Sequence, residues 1–199
     1  MYGPVLTGSQ VTLRPPDDSD AQRFVDWFAD LEVTRYLLRR AGVGLLQEQG
    51  FLKKVGESTT DILWMLEAEG RPIGATGIHQ IDWLHAHGNT GIVIGDKSAW
   101  RKGHASEAMR LRTEYAFRQL NLHKLSSSTF VENEPSRRAL IKAGYRETGV
   151  EREQYFREGR WHDHWTCEVL RDDWEKLRAT SYAEVEPPTE RSVNDDLPR

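Results

Sequence analysis

The residues best suited to chemistry stand at a helix start, in the stretch Trp100-Arg101-Lys102-Gly103-His104-Ala105-Ser106. The first N–H groups of a helix have no intrahelical partner, and the helix macrodipole adds partial positive charge there. Gly103 lets the backbone approach a ligand closely, while Arg101 and Lys102 add full positive charges. These residue types predict an anion site suited to phosphate or pyrophosphate.

Two familiar phosphate-binding motifs do not fit this helix start. A P-loop needs a lysine followed by Ser or Thr after its last glycine, whereas His104 and Ala105 follow Gly103. A dinucleotide fingerprint needs three glycines in a parallel βαβ unit, and this stretch has one. A third kind of phosphate site, or a merely solvated helix start, stays open on these residues alone.

The helix from Gly103 is one of several elements that the patterning predicts. Apolar runs predict strands over 11–14, 61–68, 73–78, 90–94, 124–131, 145–155 and 161–170. Apolar residues at helical spacing predict helices from about 21, over 45–55, 103–120 and 135–143, and a short one over 172–179. The order β-α-α-β-β-β-α-β-α-β-β indicates the α/β (α+β) class, with one mixed sheet flanked by helices.

Composition restricts the class of protein further. The 199 residues are 38% hydrophobic, enough for the core of one globular domain. The net charge is −4, and residues 181–199 hold five of the 31 acids and two of the 27 bases, so the remainder is nearly neutral. That balance argues against a nucleic-acid binder. We expect a domain over 5–178 and an acidic, proline-containing, disordered tail over 179–199.

Cysteine usage and hydropathy predict the environment of the protein. Cys167 is the only cysteine, so no internal disulfide can form, and we expect it to be a buried apolar residue. The amino terminus does not resemble a signal peptide, and no apolar run approaches the roughly 18 residues that a membrane span needs. We expect a cytoplasmic protein without a membrane partner.

Further motifs extend the pattern along the chain. Ile94-Gly95-Asp96-Lys97 precedes the stretch from Trp100 to Ala108, and Asn133-Glu134-Pro135-Ser136 and Lys142-Ala143-Gly144-Tyr145 follow it. Leu13-Arg14-Pro15, Trp27 and Val33-Thr34-Arg35-Tyr36-Leu37 stand near the amino terminus. In this order, over about 5–174, the motifs resemble the GCN5-related N-acetyltransferase (GNAT) superfamily. The resemblance is strongest to its ribosomal-protein-alanine/spermidine acetyltransferase-like branch, whose helix entry reads Trp-Gly-Lys-Gly-Tyr-Ala-Thr-Glu-Ala.

The resemblance implies a single GNAT-type domain, a monomer or homodimer, with acetyl-CoA as co-substrate and no metal. The acceptor would be a primary amine of a small molecule or of a protein amino terminus. By resemblance the pyrophosphate lies on Arg101, Lys102, Gly103, His104, Ala105 and Ser106. The pantetheine arm would pair with the strand end at Val93, Ile94 and Asp96, and contact Asn133 and Ser136 from the other side. Arg137, Arg138 or Lys142 would meet the 3′-phosphate of the adenosine.

The implied reaction is direct attack of a neutral amine on the thioester, with a backbone N–H near Ile94 polarising its carbonyl. Two departures from the family leave the acid and the base open. Many members have a glutamate where this chain has Asn89, and a helix tyrosine where it has none at 138–141. Ser136 is the candidate acid, with a helix-capping or pantetheine-binding role as the alternative. Asp82 is the candidate base, with a strand-end hydrogen bond as the alternative; His85 and Glu153 are further candidates.

Several other residues allow more than one interpretation. The pairs His85/His87 and His162/His164 have spacing that a metal could use, but the implied reaction needs none, so we expect no zinc site. We expect His162 and His164 on a half-exposed strand, and Trp64 and Trp83 are candidates for the wall of an acceptor pocket. The two departures also motivate a different hypothesis, a non-catalytic acyl-CoA-binding or regulatory module.

Overall fold

The computed structural model describes residues 1–39 and 41–183. The described strands are β1 (Leu6–Thr7), β2 (Thr12–Arg14), β3 (Ile62–Ala68), β4 (Arg71–Asp82), β5 (His87–Ile94), β6 (Lys124–Phe130), β7 (Arg146–Arg157) and β8 (Arg160–Leu170). The helices are α1 (Asp20–Ala29), α2 (Leu31–Thr34), α3 (Leu45–Glu57), α4 (His104–Arg118), α5 (Glu134–Lys142) and α6 (Arg171–Ala183), and a 3₁₀ turn spans Lys97–Ala99. In this part of the chain, no helix is long and apolar enough to cross a membrane.

The eight described strands form one mixed sheet in the order β1-β2-β3-β4-β5-β6-β8-β7. Neighbouring strands are antiparallel except β5 and β6, which run parallel. A parallel neighbour requires a crossover connection, and α4 supplies it between β5 and β6. The carboxyl ends of β5 and β6 therefore lie at the same edge of the sheet, where α4 and α5 begin.

The helices cover the two faces of the sheet unequally. α4, α5 and α6 pack on one face, in a core that includes Leu66, Ile78 and Leu125. α1 and α3 pack on the other face against Leu63, Met65 and Ala75, which explains why β3 is continuously apolar from Ile62 to Leu66. On this second face β6 and β8 carry mostly polar residues of intermediate or high exposure: Ser126, Ser128, Thr166 and Glu168. A polar strip of sheet therefore lies beside the α1–α3 layer.

A buried ion pair joins β2 to α1. The Arg14 guanidinium donates to both carboxylate oxygens of Asp20, at 2.7 and 2.9 Å, and the Asp20 side chain is 1% exposed. The Nε of Arg14 also donates to Glu67 on β3 at 2.7 Å. The three groups hold the start of α1 against the sheet.

The predicted order of elements is confirmed, with additions that the sequence did not indicate. β1 and the single-turn α2 were not predicted, and β4 and β5 extend beyond their predicted ends at Ile78 and Thr90. The last helix runs to Ala183, past the predicted boundary at 178, and residues 184–199 of the predicted tail lie outside the described residues.

Two predictions about aromatic residues were wrong. Trp64 does not line a pocket: it is fully buried, and its indole N–H donates to the Pro4 carbonyl at 2.9 Å. His162 and His164 are not half-exposed but buried, at 8% and 6% exposure. Their side chains pack edge-on against Phe130, which β6 places between β8 and the loop after α2. The packing of three separate segments, which the strand pattern does not encode, removes both imidazoles from water.

Candidate active site

A cleft opens where β5 and β6 separate. The two strands pair only from His87 to Asn89 and from Lys124 to Ser126. Two side-chain bonds extend the connection slightly, from the Thr90 hydroxyl to the Ser126 carbonyl and from the Ser127 hydroxyl to the Thr90 carbonyl, both at 3.1 Å. Beyond them β5 stays paired with β4 to Ile94, and β6 stays paired with β8 to Phe130. Within the described part of the chain, the carboxyl-terminal half of β5 thus has an unpaired edge.

The alternation of backbone groups shows which atoms face this cleft. The Thr90 carbonyl points toward β6, because it accepts the Ser127 hydroxyl. The Gly91 carbonyl points the opposite way, because it accepts the Thr76 hydroxyl of β4 at 2.9 Å. Backbone groups alternate along a strand, so those of Ile92 and Ile94 face the cleft, like those of Thr90. The Ile94 carbonyl accepts the Trp100 indole N–H at 2.9 Å, which leaves the N–H groups of Ile92 and Ile94 and the Ile92 carbonyl on the open edge.

A buried arginine lies behind this edge. Arg112 of α4 is 1% exposed, and its Nη1 donates to the Thr76 hydroxyl at 2.7 Å and to the Gly91 carbonyl at 2.8 Å. The Gly91 carbonyl and the Ile92 N–H belong to one peptide group, with the oxygen turned to Arg112 and the N–H turned to the cleft. A cationic donor on the oxygen polarises the peptide and strengthens its N–H as a donor.

The loop from Gly95 to Gly103 is fixed by its own hydrogen bonds. The N–H groups of Gly95 and Asp96 both donate to the Ile73 carbonyl, at 2.9 and 3.0 Å. The Asp96 carboxylate accepts the Ser98 N–H at 2.8 Å and pairs with Arg71. Both the N–H and the side chain of Asp96, which the sequence assigned to the pantetheine arm, are therefore engaged inside the protein. Asp96 positions the loop instead.

The entry of α4 has the shape of an anion-binding nest. Arg101 and Gly103 both have left-handed backbone angles, with φ of 63° and 88°. Gly103 is the N-cap and provides no side-chain cap, so the first N–H groups of α4, those of His104, Ala105 and Ser106, are available to a ligand. The carboxylate of Glu107 does not fill this place, because it accepts the N–H groups of Ser9 and Gln10 at 2.6 and 2.9 Å. The buried Nδ1 of His104 has no hydrogen-bond partner among the described residues.

The start of α5 forms the other side of the cleft. Asn133 caps this helix: its Oδ1 accepts the Ser136 N–H at 3.4 Å and its Nδ2 donates to the Thr129 hydroxyl at 2.9 Å. The half-buried Ser136 hydroxyl has no protein partner within the described ranges. The structure therefore brings together the predicted residues on β5, at the entry of α4 and at the entry of α5.

The predicted base candidates lie elsewhere. Asp82 stands where β4 ends and β5 begins, about 20 Å along the strand from Thr76, the partner of Ile92. Its carboxylate accepts the His85 N–H at 2.9 Å and contacts the His85 ring at 3.0 Å. These bonds, led by that backbone N–H, lower the pKa of Asp82. Asp82 and His85 thus contact each other in the turn between β4 and β5. This turn is at the end of these strands opposite the cleft, which we call the closed end of the sheet.

The remaining predicted residues also have structural roles. The Glu153 N–H donates to Asp163 at 2.8 Å on the edge strand β7, and its side chain is exposed. Trp83 is 47% exposed and donates to the Thr59 carbonyl at 2.8 Å, near Asp82. Burial raises the pKa of the Cys167 thiol to about 12, as expected for a buried apolar residue. No group of three or more His, Cys, Asp and Glu side chains in the described ranges is arranged to hold a metal.

Sequence reasoning missed two residues near the cleft. Arg112 falls on the predicted buried face of α4, but nothing in the helix pattern indicates that its charge meets the Gly91 peptide. His79 stands on β4 directly opposite Asn89, at the level where β5 leaves β6. Strand register could have revealed His79, and the packing of α4 on the sheet could have revealed Arg112; both depend on the whole fold.

Comparison with known proteins relates this chain to acetyltransferases. A family model described as an acetyltransferase (GNAT) domain matches residues 10–146. The chain is 28% identical over 165 residues to the uncharacterized N-acetyltransferase YoaA of Bacillus subtilis (strain 168), covering 80% of this chain and 93% of that protein. It is 24% identical over 153 residues to the spermidine N(1)-acetyltransferase of Escherichia coli (strain K12), with coverages of 77% and 82%.

A solved structure has the same fold. The spermidine N-acetyltransferase from Vibrio cholerae in complex with CoA and spermine aligns with a TM-score of 0.79 at 22% identity, covering 84% of this chain and 99% of that one. The family model spans well over half of the chain. The chain therefore belongs to the GNAT family, as an enzyme that transfers an acetyl group from acetyl-CoA to an amine.

Proposed function

We propose that this cleft binds acetyl-CoA and that the acceptor is a primary amine of a small molecule or of a protein amino terminus, which attacks the thioester directly. The observation that carries the proposal is the unpaired edge of β5 leading to an uncapped, basic helix entry. The pantetheine arm pairs with this edge through the Ile92 carbonyl and the Ile94 N–H. The sequence-predicted pairing at Val93 is not part of the proposal, because the backbone groups of Val93 face β4. The pyrophosphate lies on the N–H groups of residues 103–106, beside Arg101 and Lys102.

The Ile92 N–H is the proposed donor to the thioester oxygen. Negative charge develops on this oxygen when the amine adds to the carbonyl carbon, and a donor held in place before reaction stabilises it without reorganisation. Arg112 supports this role from behind, through the Gly91 carbonyl. The sequence predicted a backbone N–H donor near Ile94, and we propose that this donor is the N–H of the Gly91–Ile92 peptide group.

Ser136 is the proposed donor to the departing thiolate. Its hydroxyl is half-buried, without a protein partner in the described residues, at the start of α5 on the side of the cleft opposite β5. Asn133 orients that helix turn by capping it and is not required to contact the ligand itself.

The polar strip on β6 and β8 favours a monoamine over a polyamine. A polycation needs several free carboxylates, but three of the carboxylates near the strip already have cationic partners. Glu168 pairs with Lys124 at 3.7 Å, Glu132 with Arg160 at 3.3 Å, and Glu158 with Arg35 at 3.8 Å. Hydroxyl groups line the remainder of the strip. We therefore propose an acceptor that presents a single amino group.

The test is a panel of amines assayed with acetyl-CoA by release of free CoA thiol. The panel contains benzylamine, kanamycin, spermidine and a pentapeptide with a free amino-terminal alanine. Turnover of benzylamine or the peptide with a higher kcat/KM than spermidine supports the proposal. A preference for spermidine contradicts the monoamine assignment. Tight CoA binding without turnover of any amine contradicts the enzyme and supports the binding module.

A further inference from the structure

The imidazole of His79 lies over a gap that two glycines leave in the sheet. Gly77 on β4 and Gly91 on β5 are directly opposite each other. A Cβ at Gly77 would lie 2.7 Å from the His79 Cε1, and a Cβ at Gly91 would lie 3.6 Å from its Nε2. The ring therefore rests on the backbone of both strands, and no larger residue than glycine at 77 leaves room for it.

This ring is at the apex of the cleft and on the face that carries the polar strip. His79 is opposite Asn89, and Asn89 in turn is opposite Ser126, the last residue of β6 that pairs with β5. Gly91 comes two residues further along β5, directly before the Ile92 N–H. The side chain of His79 is 38% exposed, and its Nε2 has no hydrogen-bond partner among the described residues.

A carboxylate orients the other ring nitrogen. The Nδ1 of His79 is 3.5 Å from an Asp61 oxygen that also accepts the Gln80 N–H at 3.2 Å. The second Asp61 oxygen accepts the Ser58 hydroxyl at 2.7 Å. An irregularity in the β4–β5 register follows His79, with Gln80 at a φ of 52°, and bulges of this kind commonly aim a side chain beside an active site. The carboxylate favours the proton on Nδ1, which leaves Nε2 with a free lone pair.

Asn89 lies directly opposite His79 and is not a competing base. Its amide Nδ2 donates to the Gln80 side chain at 2.8 Å, and an amide cannot accept a proton from an ammonium group. β4 thus carries a basic side chain, that of His79, at the level of the cleft where β5 carries Asn89.

We propose that His79 is the general base that deprotonates the acceptor ammonium, directly or through one water, with Asp61 as its positioning residue. This inference rests on the proposed function. The His79 Nε2 takes one proton from R–NH₃⁺, and the neutral amine adds to the thioester carbon. The C–N bond forms and the carbonyl oxygen becomes an oxyanion on the Ile92 N–H. The oxyanion then collapses, the C–S bond breaks, and the thiolate takes the second amine proton, directly or through Ser136. The imidazolium returns its proton to water.

The charges around His79 support a base that is neutral at physiological pH. Burial lowers the pKa of His79 below its ordinary value of 6.5, Asp61 opposes that change, and Arg112 lowers the pKa further from behind the sheet. The neighbouring side chains of Gln80 and Asn89 are neutral. A base acts in its deprotonated form, so activity is lost as the pH falls through this pKa. We expect the acidic limb of kcat/KM to have its midpoint below 6.5.

The experiment compares pH–rate profiles, with the fastest amine of the panel as acceptor. His79→Gln should lower kcat by about 100-fold or more, leave the KM for acetyl-CoA within about twofold and remove the acidic limb. His79→Ala should regain activity with added imidazole, because the ring leaves a space that imidazole can occupy. Asp61→Asn should shift the acidic limb to lower pH, because it removes the charge that raises the pKa of His79.

The matched control is His85→Gln, which breaks another His–Asp contact at the closed end of the sheet and should leave the profile unchanged. A His79→Gln enzyme that keeps its acidic limb, or a His79→Ala enzyme that imidazole does not rescue, would overturn the assignment. If the wild-type protein acetylates no amine, the proposed function itself fails, which is a separate outcome.

Discussion

The variant Gly103→Ala tests the proposed pyrophosphate site at the entry of α4. Its effect on CoA binding can be separated from its effect on protein stability. A Cβ at this position would meet only the Gln10 side chain, at 3.9 Å, so alanine fits sterically. The backbone angle φ of 88° is nevertheless left-handed, which costs a non-glycine residue roughly 1–2 kcal/mol. If the loop relaxes to relieve this strain, at least one N–H group leaves the pyrophosphate. A hydrogen bond to a charged group contributes about 1.5–3 kcal/mol, so the Kd for CoA should rise roughly 10- to 100-fold.

Gly159→Ala is the matched control. Gly159 has a φ of 77° in the turn between β7 and β8, where a Cβ would have no atom within 4 Å, and β6 lies between these strands and β5 in the sheet. Both variants should lower the free energy of unfolding by a similar amount, measured by urea titration. Only Gly103→Ala should weaken CoA in calorimetry, and neither should change the binding of pantetheine, which lacks the pyrophosphate. Equal Kd values for CoA in the two variants would refute the phosphate site at the entry of α4.

Three further predictions concern single residues. Ser136→Ala should lower kcat about 10-fold or more with little change in the KM for acetyl-CoA, measured by steady-state kinetics; an unchanged kcat would leave Ser136 as part of the helix start only. Asp20→Ala should lower the free energy of unfolding by about 3 kcal/mol, because Arg14 loses its buried partner and keeps only the more exposed carboxylates of Glu67 and Asp17. The exposed Asp26→Ala should change the free energy of unfolding by less than about 0.5 kcal/mol. Cys167 should not react with iodoacetamide in the folded protein at about pH 8, since its pKa is about 12, and should react after unfolding; modification of the native protein would contradict its burial.

Local sequence patterns predicted most of the elements and the proposed acetyl-CoA half of the site. The donor site is local: its N–H groups, its glycine and its two bases come from one stretch, 100–106, so their order along the chain already predicts how they meet. The apolar periodicities predicted most helices and strands for the same reason, because helical and strand spacing are properties of neighbouring residues.

The residues of the proposed acceptor half could be recognised only from the three-dimensional contacts. His79 meets Gly91 and Asp61, and Arg112 meets the Gly91 carbonyl, through strand register and helix packing that no local pattern encodes. Asp82 is three residues from His79 in the sequence, yet the strand carries it away from the cleft to the closed end of the sheet. The burial of His162 and His164 likewise depends on packing between distant segments. The proposed acetyl-CoA site follows from contiguous residues, whereas the proposed base depends on contacts between segments that are far apart in the chain.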